Sequence, residues 1–200
     1  MLLMWRRVSH GALALVAGVA LGCSQASGPC PDGARLTGRA PPDGVLQWCA
    51  RPDGQKHGRW AEWHATGKLK TEGAYVDGKM EGRWVHYFED GVKQFEGDYR
   101  GGLKQGLWTL YYEEGQKNRE EVHPAGGGEV TWTAWRSDGS KWAEGTLVGH
   151  RAQGTYSEWH PSGALAAQGQ YEKGEKTGAW KYWDVEGQAT DVPQGDFTNE

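Results

Sequence analysis

Helical patterning is missing from most of this 200-residue chain. After residue 30 no segment places apolar residues at i, i+3, i+4 and i+7, which excludes amphipathic helices there. Aliphatic side chains are sparse, so a core must be aromatic. Basic charge is not in excess: the formal net charge is −4, and a nucleic-acid binder wants a basic patch. Only residues 11–22 form an apolar run, too short for a transmembrane helix. Cysteine is limited to 3 residues, too few to close a zinc site alone. His57, His64, His86, His123, His150 and His160 are scattered, with no H-x-x-x-H spacing to hold a metal. A Gly-x-Ser-x-Gly elbow and a phosphate loop are also absent. These gaps lead to the expectation of no enzyme, no metal and no cofactor.

What is abundant is glycine, at 32 residues, and tryptophan, at 12. Both are periodic. Gly67, Gly91, Gly115, Gly139, Gly163 and Gly187 recur every 24 residues. One aromatic column runs ahead of them: Trp60, Trp84, Trp108, Trp132, Tyr156 and Trp180. Another follows three residues later: Trp63, Tyr87, Tyr111, Trp135, Trp159 and Trp183. Nine of the 12 tryptophans fall in these two columns. A fixed period of about 20–50 residues marks a repeat architecture. Gly58, Gly82, Gly106, Gly154 and Gly178 open units, with Val130 as the exception.

The remaining positions read as hairpins. His160-Pro161-Ser162-Gly163 suits a type I turn closed by a positive-φ glycine, the usual partner of a G1 bulge. Ser137-Asp138-Gly139 and Glu89-Asp90-Gly91 fit the same turn. A second strand carries Glu72-Gly73, Glu96-Gly97, Glu144-Gly145 and Gln168-Gly169. Glu120-Glu121 keeps the acid and loses the glycine. Tyr75, Tyr99 and Tyr171 follow, with His123 and Leu147 as departures. Asp77-Gly78, Gly101-Gly102 and Lys173-Gly174 are type I′ signals that close each unit. The stretch Glu121 to Gly128 breaks the pattern most. A ring can lie flat over a residue without a side chain, so glycine opposite an aromatic is expected. Trp60 and Trp63 are three apart, so either a bulge brings both to one face or the sheet is a single layer with rings on both.

Gly82-Arg83-Trp84-Val85-His86-Tyr87-Phe88-Glu89-Asp90-Gly91, followed by Glu96-Gly97-Asp98-Tyr99, resembles the MORN-type repeat. It is most similar to the variant in the bacterial YwqK antitoxin-like family, and the resemblance covers residues 54–190. It implies an all-β fold: an elongated, curved or twisted single antiparallel sheet of stacked hairpins, about 24 residues each. It also implies an interaction module without enzyme activity.

The N-terminus carries Arg6 and Arg7 before the apolar run, the pattern of a secretory signal peptide. Ala20-Leu21-Gly22-Cys23 resembles a bacterial lipobox, in which Cys23 is acylated. Ordinary cleavage and an uncleaved anchor are the alternatives. Ser24 after the cysteine favours the outer membrane by resemblance to the enteric sorting rule. Removing residues 1–22 takes away both of those arginines and no acid, leaving a net charge of −6. Membrane contact is therefore expected through the lipid anchor. Cys30 and Cys49 in an oxidising compartment are expected to form a disulfide, with a free thiol pair as the alternative. The chain divides into a leader (1–22), a bridged cap and linker (23–53) and a repeat domain (54–200) with a truncated last unit.

The acid column Glu72, Glu96, Glu120 and Glu144 is expected to be structural, with Lys93, Lys117 and Lys141 three residues earlier as partners. The two main ring columns are expected to be core. Phe88, Tyr112, Trp142 and Tyr182 stand outside those columns and form the candidate binding surface. The expected molecule is a monomeric envelope lipoprotein, facing the periplasm, that binds an unidentified protein or cell-wall component. An antitoxin or immunity protein is the alternative.

Overall fold

The computed structural model describes residues 29–191. Every regular element is a strand. β1 (Arg35–Arg39) and β2 (Leu46–Ala50) are short. β3 (Lys56–Trp63), β4 (Leu69–Val76), β5 (Lys79–Tyr87), β6 (Lys93–Arg100), β7 (Leu103–Tyr111) and β8 (Lys117–His123) follow. Then come β9 (Val130–Trp135), β10 (Lys141–Val148), β11 (Arg151–Trp159), β12 (Leu165–Glu172), β13 (Glu175–Trp183) and the remnant β14 (Ala189–Thr190). Each strand pairs antiparallel with the next, giving one open 14-stranded sheet in chain order.

The periodic glycine closes the first turn of each hairpin. The Gly67 N–H donates to the His64 carbonyl at 2.9 Å, and the His64 N–H to the Lys68 carbonyl at 2.8 Å. That pair of bonds is a type I turn followed by a G1 bulge. It recurs at Phe88–Val92, Tyr112–Gln116, Arg136–Ser140, His160–Ala164 and Asp184–Gln188. The six glycines have φ between 82° and 99°. The second turns are type I′, with positive φ at both central residues of Asp77-Gly78, Gly101-Gly102 and Lys173-Gly174. Gly149-His150 is a fourth such turn, with φ of 54° and 69°; its sequence gives a weak signal because a histidine stands where glycine is usual.

Rings occupy both faces. Alternation along β5 puts Trp84 on one face and Val85 and Tyr87 on the other. On the first face Trp84 meets Trp60 at 5.5 Å, Tyr75 at 5.2 Å and Tyr99 at 6.0 Å between ring centroids. On the second the Tyr87 hydroxyl donates to Glu72 Oε1 at 2.7 Å, and that glutamate is the register partner of Val85. The core sits on the first face, around the buried Tyr75, Trp84 and Trp108. Edge-to-face pairs such as Tyr99 on Trp108 (4.9 Å, 80°) contribute about 0.5–1.5 kcal/mol each beyond area burial. Close approach explains the Glu-Gly glycine. Trp84 lies across from Gly97 in register, and a Cβ on Gly97 would overlap the Trp108 ring. Gly73 and Gly169 stand in the same relation to Trp84 and Trp180.

The cap joins the same sheet. β1 pairs with β2, and β2 with β3 through Trp48 opposite Trp60. Cys30 and Cys49 are bridged, with Cα atoms 5.6 Å apart, and Cys49 is fully buried. The bridge ties the stretch before β1 onto β2. At the other end the last hairpin retains only two register pairs, Tyr182 with Thr190 and Trp183 with Ala189.

Candidate functional site

Repeated side chains are spent on contacts inside the sheet, within a strand and between neighbouring units. The acid column shows this on the second face. Lys93 bonds Glu96 at 2.8 Å, Lys117 bonds Glu120 at 2.8 Å and Lys141 bonds Glu144 at 2.7 Å. Glu96 also accepts from the Tyr111 hydroxyl at 2.7 Å and meets Arg83 at 3.0 Å. Burial alone would push the Glu96 carboxyl up. The bonds from Lys93, Tyr111 and Arg83 outweigh burial and hold it below the ordinary glutamate range. Where the second column changes from tyrosine to tryptophan, lysine takes over as the partner: Lys117 lies over Trp135 at 4.9 Å and Lys141 over Trp159 at 3.9 Å. The first face has its own roof of cations, with Lys56 over Tyr75 at 4.7 Å, Lys104 over Trp108 at 4.3 Å and Lys176 over Trp180 at 4.1 Å. These five rings are thus covered by cations, which leaves them poorly placed to stack on a sugar.

A further set of ties escaped the sequence reading. The residue after the second ring reaches one repeat on. His64 and His160 Nε2 bond the carbonyls of Tyr87 and Trp183, Arg136 bonds that of Trp159, and the Tyr112 hydroxyl donates to that of Trp135 at 2.8 Å. No shared residue type marks this column; the spacing alone could have found it. Tyr112, Phe88, Trp142 and Tyr182 are all half-buried and lie in different hairpins. Tyr112 is engaged as described, Trp142 Nε1 donates to Glu158 at 3.2 Å, and Tyr182 stacks on Trp180 at 6.4 Å. The structure does not gather them into one patch. Cys23 lies outside the described residues, as does the leader (1–22). Among the described residues no group of three His, Cys, Asp or Glu side chains could hold a metal ion.

The period fails most between β8 and β9. Glu121 stands where glycine is required, opposite both Trp108 and Trp132. Its carboxylate pairs with Arg119 Nε at 2.9 Å and His123 Nε2 at 3.0 Å; the Arg119 contact is an ion pair without hydrogen-bond alignment. Trp132 stacks under the Arg119 guanidinium at 4.3 Å, and its Nε1 is buried without a partner, as are those of Trp60 and Trp180 in regular units. His123 takes the tyrosine position against Trp108, 6.4 Å away. On the opposite face, Leu107 and Val122 form an exposed cross-strand pair where Arg83 and Asp98 stand one unit earlier.

The connection after β8 is also longer. Three of the four type I′ second turns are fastened to the hairpin before them; Gly149-His150, which follows the break, is not. The Asp77, Gly101 and Lys173 N–H groups donate to the side chains of His57, Glu81 and Gln153. The Gly78, Gly102 and Gly174 N–H groups donate to the carbonyls of Lys56, Met80 and Ala152, each at 2.9 Å. The equivalent bonds here would run from Ala125 to Gln105 and from Gly126 to the Lys104 carbonyl. Neither forms, and Gly127 N–H bonds Pro124 at 3.2 Å instead. A cleft of about 420 Å³ opens between the unfastened loop and β7. Arg100, Leu103, Lys104, Gln105, His123 and residues 125–127 line it. Its charged lining is basic, although the whole chain is acidic.

Three stretches match the MORN repeat variant. The matched residues are 56–77, 80–100 and 152–173. They cover the regular hairpins on either side of the break and skip the units around Glu121, where glycine and the short turn are lost. No curated protein matches the chain. MORN repeats build a repeat scaffold suited to binding, which agrees with a sheet whose periodic side chains are used internally.

Proposed function

We propose that this chain is a non-enzymatic binding scaffold, tethered to the outer membrane through a lipid on Cys23 and facing the periplasm. The observation that carries the scaffold reading is the joining of MORN-type hairpins into one continuous sheet, with the recurring acids and rings engaged by neighbouring repeats. Side chains repeated in every unit serve the sheet, so partner recognition belongs to the departures from the period. The Cys30–Cys49 bridge supports an oxidising compartment. The lipobox-like Ala20-Leu21-Gly22-Cys23 supports the tether, since several acyl chains anchor at about 0.8 kcal/mol per buried CH₂.

Cys23→Ser is expected to release the full chain from membranes, read by fractionation. Unchanged membrane association would remove the tether. Capture on the mature protein from envelope extract, with mass spectrometry, is expected to recover a protein partner; recovery of glycan alone would defeat protein binding. A toxin as the recovered partner would establish the antitoxin reading.

A further inference from the structure

We infer that the cleft beside β7 is a binding site for the carboxyl-terminal end of a peptide. This rests on the reading of the molecule as a binding scaffold, though not on its cellular location. Three features of the cleft lead there. Arg100 and Lys104 supply positive charge at one side, and the Lys104 ammonium is already held over the Trp108 ring at 4.3 Å. Arg100 has no ion-pair partner among the described residues. Guanidinium and ammonium groups together favour an oxyanion, and Arg reads a carboxylate with two parallel bonds.

The backbone supplies the rest. At Asp77-Gly78, Gly101-Gly102 and Lys173-Gly174 two turn N–H groups and their two acceptors satisfy one another across the repeat. At the break Ala125 N–H, Gly126 N–H, the Gln105 amide and the Lys104 carbonyl are all left without those partners, around one cavity. Successive N–H groups in a loop of positive-φ glycines form a concavity for an anion. The acceptor decides the kind of anion. The Lys104 carbonyl and the Gln105 oxygen want donors, which a fully ionised phosphate does not have. A peptide end has both parts: a carboxylate for Arg100 and the loop, and amide N–H groups for Lys104 and Gln105. Leu103, 67 % exposed, and Ala125 offer apolar contact for a terminal side chain. The volume falls in the range of about 300–1,000 Å³ usual for ligand sites.

The test uses the full chain and a randomised pool of acetylated pentapeptides, made once with a free carboxyl terminus and once as the amide. Binding is followed by the amide resonances of Ala125, Gly126 and Gly127. The free-acid pool is expected to shift these resonances, and the amidated pool to bind at least about tenfold more weakly. Arg100→Gln and Lys104→Gln are each expected to weaken the free-acid interaction by about tenfold, Arg100→Gln without changing the melting temperature and Lys104→Gln with a small drop from the lost contact over Trp108. If one variant fails to fold, the other and the comparison of pools still decide. Equal binding of both pools would overturn the proposal, as would displacement by inorganic phosphate as effective as by peptide. Free-acid binding that survives in Arg100→Gln/Lys104→Gln would place recognition elsewhere and leave the scaffold reading standing. Absence of any peptide binding would remove the site and leave capture from envelope extract to judge the scaffold.

Discussion

At the scale of single residues, two kinds of glycine do different work, and substitution separates them. Gly139 has φ of 86° and nothing within 4 Å of an added Cβ. Its cost on substitution is purely conformational, so Gly139→Val should lose well over about 1 kcal/mol. A melting curve unchanged from the parent would refute the turn. Gly97 has ordinary φ, but an added Cβ would overlap Trp108. Tyrosine gives a second residue-scale prediction. Burial, aided by the bond to Glu96, pushes the Tyr111 phenol up to about 12. Burial also raises Tyr75, Tyr87, Tyr99, Tyr156 and Tyr171. A folded pKa above the unfolded value of 10.0 stabilises fully below pH 10.0 and is lost as pH rises toward the folded value. Stability should therefore fall between about pH 10 and 12, with phenolate absorbance appearing together with unfolding. Phenolate formed well before unfolding would contradict these buried phenols.

At the scale of the element, the hairpin was legible and the fastening between hairpins was not. Gly67 and its counterparts, Asp77-Gly78 and the Glu-Gly pairs each state a local backbone requirement, and a local requirement is written in residue type. The question left by Trp60 and Trp63 needed the register: Tyr87 on Glu72 shows that rings occupy both faces. The bonds across 20 to 23 residues were hidden because histidine, glutamate and glutamine serve equally at 57, 81 and 153. The cleft was half-visible. The lost glycine at Glu121 and the glycine-rich stretch marked the break, but a cavity formed by bonds that do not close cannot be seen in composition. The cap carries its own prediction. Cys30→Ser with Cys49→Ser should reduce stability by about 3 kcal/mol in the chain-entropy view. The loss should appear first as faster amide exchange in β1 and β2. Unchanged protection there would show that the bridge adds nothing to the cap.

At the scale of the whole molecule, one sheet carries two ring stacks interrupted by Glu121. Trp60 through Trp108 are linked by ring contacts on one side, and Trp132 through Trp180 on the other. The interruption lies within residues 101–151, the gap between the second and third stretches that match the MORN repeat variant. The regular units carry the likeness to the MORN repeat variant, and the proposed peptide site lies in the irregular one. The most direct measurement replaces residues 124–129 with Arg-Gly-Gly-Leu-Lys-Gln, the sequence of residues 100–105 in the regular connection, and compares capture from envelope extract by parent and variant. Specificity at the break predicts equal melting temperatures, with the partner recovered by the parent and lost by the variant. Equal recovery of the same partner by both would contradict it.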